Sequence, residues 1–237
     1  MPFVKTEKDT DYLKNKYLFY GPPKSGKTTT AANIGDDEHL SAFLCCEPGH
    51  RFVSINQWSN KKGKQPTGWM DVVECCRELY NTDAHNFSCL VIDTVDIAWD
   101  WCTDYICQMN EISHPSEMGF GIAYKAISKE FSTVFNKLGQ QGIGFIFISH
   151  EKEYEIQIGP RKESCVNTTL SSGAKKFIHG FVDFIWYFSS DLDGNRFVLT
   201  DRHDNINAGS RGDIRCGSLP LKMEMDAEKI KGYLREL

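Results

Sequence analysis

The sequence lacks the features that mark several classes of protein. None of its apolar runs approaches the roughly 20 residues that a membrane-spanning helix needs, and the first residues, Met1–Asp9, are too charged for the apolar core of a signal peptide. Basic residues do not dominate either, because 27 Lys and Arg stand against 32 Asp and Glu, giving a net charge of −5. We therefore expect a soluble, cytoplasmic protein without a chain-wide positive field for nucleic acid. Any contact with nucleic acid would come from a local surface.

Cysteine is present, but without the spacing of a metal or redox motif. The nine cysteines are odd in number, include the adjacent pairs Cys45-Cys46 and Cys75-Cys76, and nowhere form a CxxC pattern. Reduced and mostly buried thiols are therefore more plausible than disulfides or zinc ligands. We assign these residues no chemistry.

The composition is otherwise that of an ordinary globular protein. It is 41% hydrophobic and 25% charged, and the chain is long enough to bury a full core. We expect a single domain over residues 1–237, with a core of about 16–202 and a polar tail of about 203–237.

Short apolar runs alternate with segments of helical period, which is the pattern of an α/β protein with a mainly parallel sheet and helices on both faces. No internal repeat or low-complexity tract interrupts the pattern. The predicted strands are Lys16–Tyr20, Ser41–Cys46, Ser88–Ile92 and Gly144–Ser149. The predicted helices start near Lys27 and cover about 69–80, 96–109 and 127–138.

The last third of the chain is less regular. Residues 151–172 are polar and aperiodic, and a loop of about twenty residues is longer than compact domains usually tolerate unless it has a function. After it, Phe181–Phe188 and Arg196–Thr200 predict a C-terminal antiparallel hairpin, because Asp193-Gly194 suits a tight turn. We expect the tail that follows to be irregular.

One motif carries most of the functional information. Gly21-Pro22-Pro23-Lys24-Ser25-Gly26-Lys27-Thr28 matches GxxxxGK[ST] in full, directly after a predicted strand and before a predicted helix. Backbone N–H groups and the positive helix end would surround the phosphates, and glycine lets the backbone approach them without a Cβ clash. Lys27 would place its charge on the β- and γ-phosphates, and Thr28 would give its hydroxyl to Mg²⁺. The alternative is a simple Gly-Pro turn.

A phosphate loop usually works with a carboxylate at the end of a neighbouring strand, because Mg²⁺ prefers hard oxygen ligands. The run Cys89-Leu90-Val91-Ile92-Asp93-Thr94 supplies that carboxylate. Asp93 could instead cap the next helix, as strand-end aspartates often do. Because the phosphate loop is present, we predict that Thr28 and Asp93 hold the metal.

Three strand ends narrow the class of phosphate-loop protein: Glu47-Pro48-Gly49, Asp93-Thr94 and Ser149-His150-Glu151. All three fall where open α/β sheets bind ligands, at the carboxyl ends of strands. A GTPase is disfavoured, because Asp96 stands where the DxxG motif has glycine. Asn136-Lys137-Leu138-Gly139 likewise lacks the final aspartate of the guanine-reading NKxD motif.

These residues resemble those of the RecA-like P-loop ATPases, and more narrowly the phage-encoded, single-domain ATP-binding proteins of that superfamily associated with homologous recombination and single-strand annealing. The resemblance covers about residues 16–202, and its matching stretches are Gly21–Thr28, Ala42–Glu47, Leu90–Val95, Gly144–His150 and Thr168–Phe177. It implies a RecA-like P-loop NTPase fold with ATP and Mg²⁺ as cofactors. The nucleotide-binding residues would be Gly21, Pro22, Pro23, Lys24, Ser25, Gly26, Lys27, Thr28 and Thr29.

The resemblance also implies an activity and its residues. The protein would be an ATPase acting on single-stranded DNA in phage-type recombination, annealing or replication. Glu47 would orient and activate the attacking water, although Glu-Pro-Gly could be only a turn. His150 occupies the sensor position and would report the γ-phosphate to the following loop, although it could be a buried or capping histidine. Lys27, Glu47, Asp93 and His150 form the predicted catalytic set.

The segment after His150 aligns with the part of RecA-like recombinases that faces single-stranded DNA. Five cations there could meet phosphates: Lys152, Arg161, Lys162, Lys175 and Lys176. Tyr154 or Phe177 could stack on bases. Four glutamates dilute this charge, so a solvated loop or one that packs on a neighbouring subunit remains an alternative.

RecA-like ATPases commonly complete their sites across a subunit interface, so the resemblance implies a homo-oligomer with ATP at the interface. Arg202 and Arg211 are the candidates for the basic residue acting in trans, unless they are ordinary surface arginines. A single-strand-binding or replication protein would be a further partner.

Two other functional classes stay open. One is a nucleotide or small-molecule kinase, which is disfavoured because the eight arginines do not cluster into a lid. The other is a nucleotide-dependent switch or loader.

Overall fold

The structure is a computed structural model that describes residues 11–35, 40–158, 160–211 and 219–236. Its strands are β1 (Lys16–Gly21), β2 (Leu40–Cys45), β3 (Asn56–Gln57), β4 (Phe87–Asp93), β5 (Gly144–Ile158), β6 (Arg161–Thr168), β7 (Phe184–Ser190), β8 (Arg196–Leu199), β9 (Gly209–Ser210) and β10 (Lys222–Glu224). Its α-helices are α1 (Lys27–Asn33), α2 (Trp69–Leu79), α3 (Val95–Met109), α4 (Ile122–Gly139), α5 (Ser172–Phe181) and α6 (Ala227–Arg235).

The sheet places the strand that precedes the phosphate loop near its centre. The strand order is β10-β8-β7-β1-β5-β4-β2-β3, and the strands from β7 to β3 run parallel. β5, which carries His150, therefore lies between β1 and the strand that ends at Asp93. This arrangement confirms the predicted α/β fold with a mainly parallel sheet flanked by helices, including the antiparallel pairing of β7 with β8 near the C-terminus.

Both faces of the central strands are buried, which explains why these strands read as continuous apolar runs. On β1, Leu18 packs with the core formed by α2, α3, α4 and α5, whereas Tyr17 and Phe19 face the opposite core with Trp186. Aromatic rings fill much of both layers, and the rings of Phe19 and Trp186 stack with centroids 5.4 Å apart. The packed strands fix the edge of the sheet at which the phosphate loop lies.

The prediction of an aperiodic loop over residues 151–172 was wrong. β5 continues as far as Ile158 and pairs with β6 in an antiparallel two-stranded ribbon, in which Glu151 lies opposite Thr168 and Gln157 opposite Lys162. Most of the ribbon's described side chains are at least partly exposed, so charged residues occur on both of its faces and no apolar alternation marks the strands. We call residues 151–168 the β5–β6 ribbon.

The C-terminal part is more regular than the sequence predicts. The turn between β7 and β8 is closed by Asp191, whose carboxylate accepts hydrogen bonds from the backbone N–H groups of Asp193 and Asn195 at 3.1 and 2.8 Å. The predicted irregular tail was wrong for residues 219–236, where β10 joins β8 and α6 begins at its N-cap Asp226. α6 buries Ile230 among its core residues, so its amphipathic face anchors the end of the chain to the sheet.

The structure agrees with the thiols expected from the sequence. All eight cysteines in the described part of the chain are free, and seven of them are buried. Burial raises the pKa of the Cys76 thiol to about 12, so this residue stays protonated near neutral pH. Cys216 lies outside the described residues. No helix in the described ranges combines the length and apolar character needed to cross a membrane.

Candidate nucleotide and metal site

The phosphate loop connects the end of β1 to the start of α1, and its glycines are needed for space as well as conformation. Gly21 has φ of 146°, and a Cβ there would lie 2.0 Å from the carbonyl oxygen of Phe188 on β7. Gly26 has φ of 98°, and a Cβ there would lie 2.0 Å from Cε of Met225. Packing against β7 and the segment after β10 therefore holds the loop in place.

Lys27 lies inside the loop rather than in solvent. Its ammonium Nζ donates hydrogen bonds to the carbonyl oxygens of Gly21 and Pro22, each at 2.8 Å. Burial lowers the pKa of Lys27, and the nearby carboxylate of Asp93 opposes that effect. These carbonyl contacts keep a buried cation within the loop, where it is available to phosphate oxygens.

Thr28 and Asp93 meet across the site as the spacing predicts. The Thr28 hydroxyl Oγ1 donates to Oδ2 of Asp93 at 2.7 Å. α3 begins with Thr94 as its N-cap, so Asp93 is not the capping residue that the alternative required. Burial raises the pKa of Asp93, while Thr28 and Lys27 act in the opposite direction.

This pair fits a magnesium ion. A hydroxyl and a carboxylate are hard oxygen donors, and Mg²⁺ in nucleotide enzymes takes one or two protein oxygens together with phosphate oxygens and water. Within the described ranges no group of three or more His, Cys, Asp or Glu side chains could hold a metal by itself. The donor set therefore suits a metal that arrives with a phosphate chain.

Glu47 and His150 complete the same site. Oε1 of Glu47 lies 3.5 Å from Nε2 of His150, and the two side chains are 35% and 38% exposed. Both line a cavity of about 580 Å³ together with Lys27, Thr28 and Asp93. We call it the nucleotide cavity. Each predicted catalytic residue thus faces one space large enough for part of a nucleotide.

Asp96 is a residue that the sequence reasoning did not assign to the site. Its Oδ1 accepts hydrogen bonds from the hydroxyls of Ser149 and Thr169, at 3.1 and 2.7 Å. The Thr169 backbone N–H also donates to the carbonyl oxygen of His150 at 3.0 Å. The two ends of the β5–β6 ribbon are therefore tied together beside the nucleotide cavity. The sequence signal was a carboxylate three residues after Asp93, in the first turn of α3.

The structure separates the cations predicted to meet DNA. The register of the ribbon puts Lys152 and Tyr154 on one face, and Glu151, Glu153 and Glu155 on the other. Lys162 lies on the acidic face, where its Nζ is 2.8 Å from Oε2 of Glu155. For Arg161, only the backbone is described.

α5 carries a second cation, Lys175, that interacts electrostatically with Lys152. Burial lowers the pKa of Lys175, and the positive charge of Lys152 lowers it further, so the charge of Lys152 is felt at Lys175. Lys176 instead lines a groove between α4 and α5. Phe177 stacks on Phe181 with ring centroids 5.1 Å apart, so its ring belongs to the packing of α5.

The two arginines predicted to act in trans lie outside their own nucleotide cavity. Arg211 donates to the carbonyl oxygen of Gly180 and lies 3.8 Å from Asp183, which precedes β7 at the opposite edge of the sheet. Arg202 is exposed and follows β8 on the side that leads away from the phosphate loop. Neither residue lines the cavity.

The fold and the phosphate-loop geometry define the chain as a P-loop ATPase. The AAA domain family matches residues 13–212, and the chain belongs to this family. No curated protein matches the chain. Among solved structures, the chain is similar to the RadB recombinase, with 14% sequence identity, a TM-score of 0.47 and coverage of 81% of this chain and 82% of that one.

Proposed function

We propose that this P-loop ATPase is a RecA-like, Mg²⁺-dependent enzyme that acts on single-stranded DNA during phage-type recombination, annealing or replication. The observation that carries the proposal is the convergence of Lys27, Thr28, Glu47, Asp93 and His150 on one cavity. The β5–β6 ribbon, which resembles the DNA-facing segment of recombinases, leaves the sheet directly after His150. ATP chemistry and a DNA surface would therefore share one strand.

In the proposed reaction, each residue has a separate task. Lys27 leaves the loop carbonyls and pairs with the β- and γ-phosphates. Thr28 and Asp93 would hold Mg²⁺, which would offset the negative charge of the phosphate chain. Glu47 orients a water toward the γ-phosphate and accepts its proton. His150, within 3.5 Å of Glu47, senses the γ-phosphate.

The proposed DNA surface is the ribbon face that carries Lys152 and Tyr154, extended by Lys175. Two interacting cations can meet consecutive phosphates, and a partly exposed tyrosine offers a stacking surface for a base. Lys162, Lys176 and Arg161 are secondary candidates. The bonds of Thr169 to His150 and Asp96 would pass a change at the γ-phosphate to this surface.

We further propose a homo-oligomer in the cytoplasm, in which Arg202 of one protomer approaches the ATP of the next. Arg202 does not line the nucleotide cavity of its own chain, which favours a role in trans over one in cis. Arg211 is the weaker candidate, because it pairs with Asp183 in its own chain. The single-domain organisation belongs to this proposal, since β10 and α6 extend the central sheet and its core. A single-strand-binding or replication protein would be the further partner.

The test is phosphate release from Mg–ATP, with and without a single-stranded oligonucleotide at two salt concentrations. Wild type should show turnover that DNA stimulates more strongly at low salt. Lys27→Ala should abolish turnover, which controls for contaminating ATPases. If saturating DNA leaves the wild-type rate unchanged, the DNA role is wrong and a nucleotide-dependent switch becomes the better account. Phosphate appearing on an acceptor instead of in solution would point to a kinase.

A further inference from the structure

We propose that Arg196 binds the phosphate chain of the nucleotide from within the same subunit. The inference rests on the nucleotide site proposed above and adds to it a cation from a distant part of the chain. Arg196 is the first residue of β8, more than 160 positions after the phosphate loop, and it lies outside the family-like motifs of the sequence.

Arg196 lies at the wall of the nucleotide cavity, close to the phosphate loop. Arg196 lines the nucleotide cavity together with Lys24, Lys27 and Thr28. Its guanidinium nitrogen Nη1 lies 3.7 Å from the point that a Cβ on Gly26 would occupy. A planar guanidinium at this distance from the loop can reach oxygens of a phosphate chain held there, and arginine suits paired hydrogen bonds to phosphate.

The guanidinium of Arg196 has no protein partner among the described residues. None of the hydrogen bonds or ion pairs in that part of the chain involves its nitrogens. Three carboxylates lie nearby in an adjoining cavity, but each has another partner. Asp191 accepts from Asn195, Glu224 from the Lys229 ammonium, and Asp226 from the Lys229 backbone N–H. An arginine that stays unpaired beside three carboxylates, and faces a phosphate loop, suits an anionic ligand.

Contacts with the segment after β10 hold Arg196 beside the phosphate loop. The backbone of Arg196 accepts a hydrogen bond from the N–H of Met225 at 3.2 Å, and the Met225 thioether packs on Gly26. Arg196, Met225 and the phosphate loop therefore form one packed unit of a single chain. This geometry distinguishes Arg196 from Arg202, which would have to act on a neighbouring subunit.

The test measures equilibrium binding of Mg–ATP to the full chain by isothermal titration calorimetry. Arg196→Ala should raise Kd by about 10- to 100-fold, the range for losing a charged hydrogen bond, and Arg196→Lys should lie between the two. Lys222→Ala is the matched control, because Lys222 is a cation of the same sheet edge whose Nζ lies over the Phe197 ring instead of in the nucleotide cavity. Thermal unfolding should show that all variants are folded.

The outcomes separate this inference from the wider proposal. Wild-type binding with an unchanged Kd for Arg196→Ala would overturn the role of Arg196 alone. Failure of wild type to bind ATP would overturn the nucleotide site and this inference with it.

Mixing Lys27→Ala with Arg196→Ala tests whether the contact is made within one subunit. If Arg196 acts in cis, no subunit of the mixture has a complete site, and phosphate release should not exceed the sum of the two variants. Recovery of turnover in the mixture would show that Arg196 acts across an interface and would overturn the assignment in cis.

Discussion

The nucleotide cavity and the β5–β6 ribbon both depend on β5, but they hold their side chains in different ways. In the cavity, Glu47 follows β2, Asp93 ends β4 and His150 follows the part of β5 that is buried on both faces, so packing fixes their positions. The ribbon has charged side chains on both faces, and few of its described side chains are buried. The proposed chemistry therefore lies on a tightly packed part of the sheet, whereas the proposed DNA surface lies on an exposed ribbon with less packing to hold it.

Replacing Glu47 should have the largest effect on ATP turnover and should leave the fold unchanged. Glu47→Gln removes the base but keeps the shape of the side chain, so we expect ATP hydrolysis to fall by about 10²- to 10⁴-fold while ATP still binds. Phosphate release and calorimetric binding of ATP measure the two effects separately. Turnover close to wild type would assign Glu47 to the turn that its Pro-Gly neighbours suggest.

The rigidity of the cavity can be tested at Gly21. Gly21→Ala combines a positive φ with a Cβ 2.0 Å from a backbone carbonyl, so we expect it to lower the free energy of unfolding by about 3 kcal/mol or more. Gly194→Ala is the matched control, because its φ of 82° is also positive but a Cβ there meets open space. It should cost only about 1 kcal/mol. Equal effects in urea unfolding would contradict tight packing of β7 on the loop.

Low pH should reduce the stability of the fold through His179, which lies on α5, the helix that follows the ribbon. Burial, together with the positive charge of Lys175, lowers the pKa of His179 to about 4, whereas an unfolded histidine titrates near 6.5. At pH values between 4 and 6.5 the unfolded chain binds a proton at this histidine and the native chain does not. The free energy of unfolding should therefore fall by up to about 1 kcal/mol per pH unit as the pH drops from 6.5 to 4. His179→Gln should reduce this slope in urea unfolding. An unchanged slope would mean that other groups cause it.

The smallest effects are expected on the ribbon, where contacts are exposed. Lys152→Ala with Lys175→Ala should weaken binding of a labelled oligothymidine by about 10-fold and reduce the salt slope by about 1, since two phosphate contacts to a single strand are lost. Lys162→Ala is the control, because Lys162 lies on the acidic face beside Glu155. Fluorescence anisotropy at several salt concentrations measures both quantities. A larger loss for Lys162→Ala would place the DNA on the opposite face.

The same contrast explains what could be predicted from the sequence. Lys27, Thr28 and Asp93 were predictable because a phosphate loop and a buried strand end have local signals. The pairing of β5 with β6 was not, because a strand exposed on both faces has no apolar period. Arg196 and Met225 carry no local signal at all, since only the order β10-β8-β7-β1 brings them to the phosphate loop.

The proposed control of the β5–β6 ribbon by ATP in the nucleotide cavity can be tested by measuring the affinity of Glu47→Gln for single-stranded oligothymidine with and without saturating Mg–ATP. Because this variant binds ATP without turning it over, the account predicts at least about a 5-fold change in Kd, the lower range of coupling between sites. Asp96→Asn in the same background should reduce that change, since Asp96 ties Ser149 to Thr169. An affinity for DNA that is identical in the presence and absence of ATP would contradict the account.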